Sequence, residues 1–372
     1  MKTIMICILL TTITFSIADT HIPAGNVNGA WTYSGNPYII DGEISIQINN
    51  TLTIESGVEV IFSGHYKFNI YGRILAEGTS TDSISFTAQD TEIGWHSLRF
   101  WNTSSNGQDS SRVVYCELRL GKATGEGNEK YGGAIYCNNS SNILISDCLI
   151  TKNYAESHGG GIHCSNSSPS LINVIISGNE VSGDNTTYGG GISCVGSSPI
   201  FNNVTITGNI TWSYTAYGGG FHCSNSNPSL TNVTLSGNTV EGYVVYGGGI
   251  SCSNSNPTLL NVTIDGNNAD SPDGFGGGIC CSDSNPNLED VIITGNSAAY
   301  GGGIHCSSNS NPSLENVTIS GNSSCHGGGI HCGGSNPALE NITITENYAY
   351  NQGGGIYLIS NSNPILTNVT IS

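Results

Sequence analysis

The chain has 372 residues, 51 of them glycine, with 10% charged residues and a formal net charge of −18. Abundant Gly, Asn, Ser and Thr with few aromatics exclude a helical bundle and indicate many short strands joined by tight turns. All nine Lys and Arg lie at or before Lys152, whereas thirteen acids run from Glu156 to Glu346; a surface without cations neutralises no phosphate, which argues against nucleic acid and anionic membranes as partners.

Lys2 precedes an apolar run over residues 4–17, and Ser16 and Ala18 fit the small-residue pattern before a cleavage point. Residues 1–18 therefore read as a secretory signal, whose removal takes Cys7 with it. No other apolar stretch is long enough to span a bilayer, so direct membrane insertion is not expected. Over residues 19–121 the segments 52–62, 68–78 and 84–86 alternate apolar and polar residues between glycines. This region is expected to form the opening coils of a solenoid plus an N-terminal cap that shields the first rung from edge pairing.

Residues 122–372 hold nine near-copies of one sentence, best preserved as YGGGFHCSNSNPSLTNVTLSGN over residues 217–238. The copies begin at Gly132, Gly159, Gly189, Gly218, Gly247, Gly276, Gly301, Gly327 and Gly353, spaced by 25 to 30 residues. A fixed period of this size belongs to a stacked solenoid, in which each unit buries its apolar face only against its neighbours. Within a copy Ile162 and Cys164 share one face and His163 takes the other, while Val233 and Leu235 share a face opposed by Thr234. A single inward Leu, such as Leu230, follows the turn-rich SNSNP segment. Three short strands per coil, each with one apolar face, close into an all-β parallel β-helix. The array stops mid-coil at Ile371-Ser372, and further protein is expected to follow.

From the Asn closing one copy to the first Gly of the next, the step is ten after Asn179 and five after Asn296. Insertions therefore enter at one corner and are expected to project as loops along one edge, where specificity would reside.

Stacking in register turns repeated residues into columns. Cys164, Cys194, Cys223, Cys252, Cys281, Cys306 and Cys332 are expected to point inward as buried thiols, because parallel Cβ atoms about 4.8 Å apart do not suit a disulfide. Asn203, Asn232, Asn261, Asn316 and Asn341 precede the apolar pair, and Asn179, Asn209, Asn238, Asn267, Asn296 and Asn322 follow it. Both columns are expected to bond along the stack, and the first to point inward, which would make its Asn-x-Thr sequons accidental. His163, Ser193, His222, Ser251, Cys280, His305 and His331 form an outward column, read as an exposed ladder with too few ligands to hold a metal. Thr205 and Thr207, Thr234 and Ser236, and Thr318 and Ser320 form a hydroxyl grid, interrupted at Asp265 and Ile292. Tyr188, Tyr217, Tyr246, Phe275 and Tyr300 precede the glycines as an aromatic column, either a packed structural ladder or a surface that grips sugar rings.

The GGAI at residues 132–135 and the later GGGI motifs, each after a Gly-Asn turn as in residues 294–304, resemble the polymorphic outer-membrane protein repeats. More broadly they are similar to right-handed parallel β-helix repeats of the pectin-lyase-like superfamily, over about residues 40–372. Ile or Leu replaces the Phe of the repeat family's Phe-x-x-Asn hallmark in coils such as residues 293–296. The resemblance implies a right-handed solenoid, secreted or displayed at a cell surface in association with an outer membrane, and adhesion. The expected function is a non-catalytic adhesin or structural stalk that binds glycan or extracellular protein. The alternative is a polysaccharide lyase or hydrolase, disfavoured because no Lys or Arg follows Lys152 and no outward carboxylate pair recurs. Ice binding through the Thr/Ser grid is a distant third. No catalytic residue, metal ligand or cofactor is assigned; Asp265, Asp270 and Asp273 form the one acidic cluster that could take calcium.

Overall fold

The computed structural model describes residues 19–103 and 110–372. The expected signal segment at 1–18 lies outside the described residues. The described residues wind into a parallel β-solenoid. Among the described residues a thirteen-stranded sheet takes one strand from each coil, from Gly25–Asn26 to Ile356–Ile359. A second sheet takes two short strands per coil, such as Ser170–Ile172 and Ile175–Ser177.

Between those two strands the chain turns at a residue in the left-handed region: Asn173, Asn203, Asn232 and Asn316 all have φ 55. Asn adopts that conformation at lower cost than residues without a short polar side chain, which explains its recurrence. Further on, Gly208 (φ 60) and Gly237 (φ 59) occupy the same region one residue before an inward Asn. At the Gly triplet, a Cβ on Gly219 would lie 2.5 Å from the carbonyl oxygen of Gly248 in the next coil. Only glycine lets adjacent coils approach so closely.

Register is strict. Cys194 pairs with Cys223, Cys223 with Cys252, and Cys252 with Cys281. Inward Ile, Leu, Val, Phe and Cys build one continuous core from Val27 to Ile344. Larger rings fill the early coils: Trp31 stacks on Tyr38 at 4.9 Å, and Phe62 on Trp95 at 4.6 Å.

Thr20–Ile22 pairs with Tyr38–Ile40 in the opening coils. One expectation changes: the inserted segments are largely strand, with short turns at residues 183–185 and 271–272. They supply an eleven-stranded third sheet, because neighbouring insertions of similar length align and pair, as Ile210–Tyr217 does with Thr239–Tyr246. This edge sheet has small cores of its own, one made of Ala216, Val240, Val245, Ala269 and Ala298.

Candidate functional site

The edge sheet carries the most distinctive surface of the molecule. In Ile210–Tyr217, Thr211 and Ser213 turn inward and Trp212 and Tyr214 outward, as period-two alternation requires. Trp212 is 50% exposed, and Tyr214 and Tyr243 are each 60% exposed. Tyr214 stacks on Tyr243 of the following coil with centroids 5.1 Å apart and planes 15° apart. Ladder register places Ser182 beside Trp212, Trp212 beside Glu241, and Glu241 beside Asp270.

Around these side chains lies an open cleft of about 570 Å³, lined by Asp184, Trp212, Tyr214, Glu241, Tyr243 and Asp270 among others. A second cleft of about 400 Å³, with Lys130, Tyr154, Glu156 and Asn185 in its walls, shares Asp184 and Trp212 with the first. The two together form a furrow running across successive coils, with the indole standing at their junction. Lys130 faces Glu156 at 3.7 Å. Burial, reinforced by Glu156, Glu180 and Asp184, raises the pKa of the Tyr154 phenol, whose hydroxyl donates to the carbonyl of Ser182 at 2.8 Å. Chemically, this furrow offers flat apolar rings beside hydrogen-bond acceptors. Variable insertion length points to this edge but not to Trp212, Tyr214 and Tyr243, because they do not recur in every copy.

The aromatic column that the sequence singled out is real and continuous. Tyr188 to Tyr217, Tyr217 to Tyr246, Tyr246 to Phe275 and Phe275 to Tyr300 are separated by 5.2, 4.8, 5.2 and 5.1 Å, all stacked. His158, missed because it replaces Tyr, continues the column 4.5 Å from Tyr131 and 4.5 Å from Tyr188. His326 extends it beyond Tyr300 at 5.3 Å. These half-buried rings spend their faces on one another.

They also cover the outward histidines, which corrects the expectation of an exposed ladder. His163, Ser193, His222, Ser251, Cys280, His305 and His331 are all buried. The sharp Gly-triplet turn folds each ring back over this column, so that Tyr188 lies 5.0 Å from His222 and Phe275 5.0 Å from His305. Burial depresses the imidazoles, His222 and His305 to about 3 and His331 to about 4. Their Nδ1 atoms have no hydrogen-bond partner among the described residues.

Cys164, Cys194, Cys223, Cys252, Cys281, Cys306 and Cys332 are buried free thiols on the inner face; the Sγ atoms of Cys223 and Cys252 lie 3.6 Å apart. The Asn columns separate. Asn179, Asn209, Asn238, Asn267, Asn296 and Asn322 point inward and are buried. Asn203, Asn232, Asn261, Asn316 and Asn341 are exposed, against the inward expectation. Their left-handed corner conformation swings the side chain outward while the ladder survives, as in the 2.7 Å bond from Asn261 Nδ2 to Asn232 Oδ1. Their sequons therefore face solvent. A buried serine column runs beside them: Ser226 N–H donates to Ser255 Oγ, and Ser255 N–H to Ser284 Oγ, both at 3.1 Å.

Thr205, Thr234 and Thr263 align in register on a half-buried face. Asp265 lies on that face, whereas Asp270 and Asp273 belong to the edge sheet. Among the described residues, no three His, Cys, Asp or Glu side chains converge as a metal site. No described helix is long and apolar enough to cross a membrane.

A stack of parallel coils with inward ladders and one elaborated edge defines a parallel β-helix repeat protein. Residues 133–324, just over half of the chain, match the right handed beta helix region family, and the chain belongs to it. Residues 316–333 and 341–358 match the Chlamydia polymorphic membrane protein repeat, so the later coils are of that type. No curated protein matches the chain. Among solved structures, the A-module of the Azotobacter vinelandii mannuronan C-5 epimerase AlgE6 is 12% identical, with 96% of this chain and 91% of that one covered and a TM-score of 0.35. A tailspike protein of E. coli bacteriophage HK620 is 12% identical, with 92% and 74% covered and a TM-score of 0.34. Likeness at this level carries no argument about function.

Proposed function

We propose that this chain is a non-catalytic β-helix, secreted or displayed at a cell surface, that acts as an adhesin or stalk and binds glycan at its edge furrow. The observation that carries the reading is the exposure of Trp212, Tyr214 and Tyr243 on one side of the furrow while the inward faces of the coils are closed ladders. Exposed rings of this size are costly to leave in water, and their flat faces match the apolar face of a pyranose. Acceptors on Asp184 and Glu241, with hydroxyls on Ser182 and Ser271, suit sugar hydroxyl groups. The polymorphic membrane protein repeats support display at a surface.

The test is a glycan and matrix-protein array probed with the wild type, Trp212→Ala and Tyr243→Ala, each bound polysaccharide being followed for chain cleavage. Glycan binding without cleavage, reduced at least about tenfold by Trp212→Ala, is the expected result. Cleavage of a bound polysaccharide overturns the non-catalytic reading. Binding untouched by either substitution overturns the furrow as the site.

A further inference from the structure

We infer that the furrow selects glycans bearing free amino groups, with sugar rings on Trp212 and the Tyr214–Tyr243 stack and ammonium groups at Glu241 and Asp270; this rests on the glycan-binding reading above.

Trp212, Glu241 and Asp270 occupy one outward row on successive strands, Glu241 being the ladder partner of Asp270. In-register neighbours in a parallel ladder sit about 4.8 Å apart, and like charges placed so repel. Among the described residues no Lys or Arg lines the cleft beside them. The chain has no Lys or Arg after Lys152, and the furrow's one lysine, Lys130, stands in the neighbouring cleft against Glu156. Asp184 adds a further carboxylate to both clefts. Four carboxylates (Glu156, Asp184, Glu241 and Asp270) against one lysine disfavour uronic or sulfated sugars and favour a ligand that brings positive charge.

The rings are a second, independent feature. Trp212 borders both clefts, so a chain lying along the furrow meets the indole wherever it crosses the junction. Ring stacking and ammonium binding act together here, since a cation beside a Trp or Tyr face is itself attracted to it. A basic peptide would satisfy the carboxylates but finds less to hold. Ile210–Tyr217 is paired on both sides, leaving no free strand edge for backbone addition. The lining beside the rings is hydroxyl and amide, from Ser271, Asn185 and Thr186, rather than a closed apolar pocket for an anchor residue.

Binding is measured in mildly acidic buffer with three probes: the β-1,4-linked glucosamine hexamer, its fully N-acetylated counterpart, and a galacturonate hexamer. A lysine hexapeptide is added as competitor. The glucosamine hexamer is expected to bind at least about tenfold tighter than the acetylated form and to resist the peptide, with no galacturonate binding. The double variant Glu241→Gln, Asp270→Asn is expected to close that gap, whereas Trp212→Ala weakens both glucosamine ligands. Circular dichroism of each variant checks the fold. Equal or tighter binding of the acetylated hexamer, or a gap that persists in the double variant, overturns amine selectivity and leaves glycan binding standing. Tight galacturonate binding does the same. Failure of both glucosamine ligands overturns amine selectivity while the glycan array decides glycan binding itself, and displacement by the lysine peptide at lower concentration than the glucosamine hexamer reassigns the furrow to basic peptides.

Discussion

Asn209 donates from Nδ2 to Oδ1 of Asn238 at 2.9 Å, and the backbone N–H of Asn209 donates to the same oxygen at 3.0 Å. Asn238 in turn donates to the carbonyl of Ile206 at 2.9 Å and to Asn267 Oδ1 at 2.9 Å. Every polar atom of this buried amide therefore has a partner in its own or an adjacent coil. Asn238→Ala leaves two donors on Asn209 and the Ile206 carbonyl without those bonds, and is expected to cost about 2–4 kcal/mol. Urea unfolding of variant and wild type measures it; a loss below about 0.5 kcal/mol would mean that the ladder does not stabilise the stack.

The glycines of one coil should divide by position. Gly219→Ala places a methyl 2.5 Å from the Gly248 carbonyl oxygen and 2.6 Å from a backbone carbon of Thr239, so the coils must separate. About 3 kcal/mol or failure to fold is expected. Gly237→Ala meets nothing within 4 Å and bears only the conformational cost of its φ of 59, about 1 kcal/mol. Thermal melts of the two variants side by side test the ordering.

Acid should weaken this fold through its histidines. Unfolded imidazoles titrate near 6.5, whereas His222 and His305 are held at about 3, and His158 and His331 at about 4, by burial beneath or within the aromatic column. Between those values the unfolded chain binds protons that the folded chain refuses, so stability is full above about pH 6.5 and falls as pH drops toward 4. Denaturant unfolding across that window measures the slope. His222→Phe and His305→Phe are expected to make it shallower, and an unchanged slope would contradict the burial argument.

Thiol chemistry offers a simple readout of the core. Among the described residues Cys325 is exposed and the other eleven cysteines are buried. Burial also pushes the Cys280 thiol up to about 12, further from the reactive thiolate. Iodoacetamide is expected to label Cys325 rapidly in the native protein and the remaining cysteines only after denaturation. Rapid native labelling of Cys223 or Cys252 would mean that the coils open.

The repeat alone determined the solenoid. A recurring Gly triplet, an inward Ile-x-Cys and a Gly-Asn turn are local instructions, and copying them at a near-constant period forces parallel stacking, because each coil can bury its apolar face only on the next. Inward cysteines and the Asn209–Asn238 ladder follow directly from that. The direction of Asn232 did not, since a left-handed corner points its side chain outward where simple alternation predicts inward. Nor did the burial of His222, which depends on Tyr188, 34 residues away in sequence, folding across it. The furrow is tertiary in the fullest sense. Trp212 and Glu241 stand 29 residues apart inside insertions that vary from copy to copy, and only ladder register sets them side by side. Periodicity in a sequence reports what every coil must do to stack, whereas a binding edge is built where coils differ, by neighbours that no local pattern links.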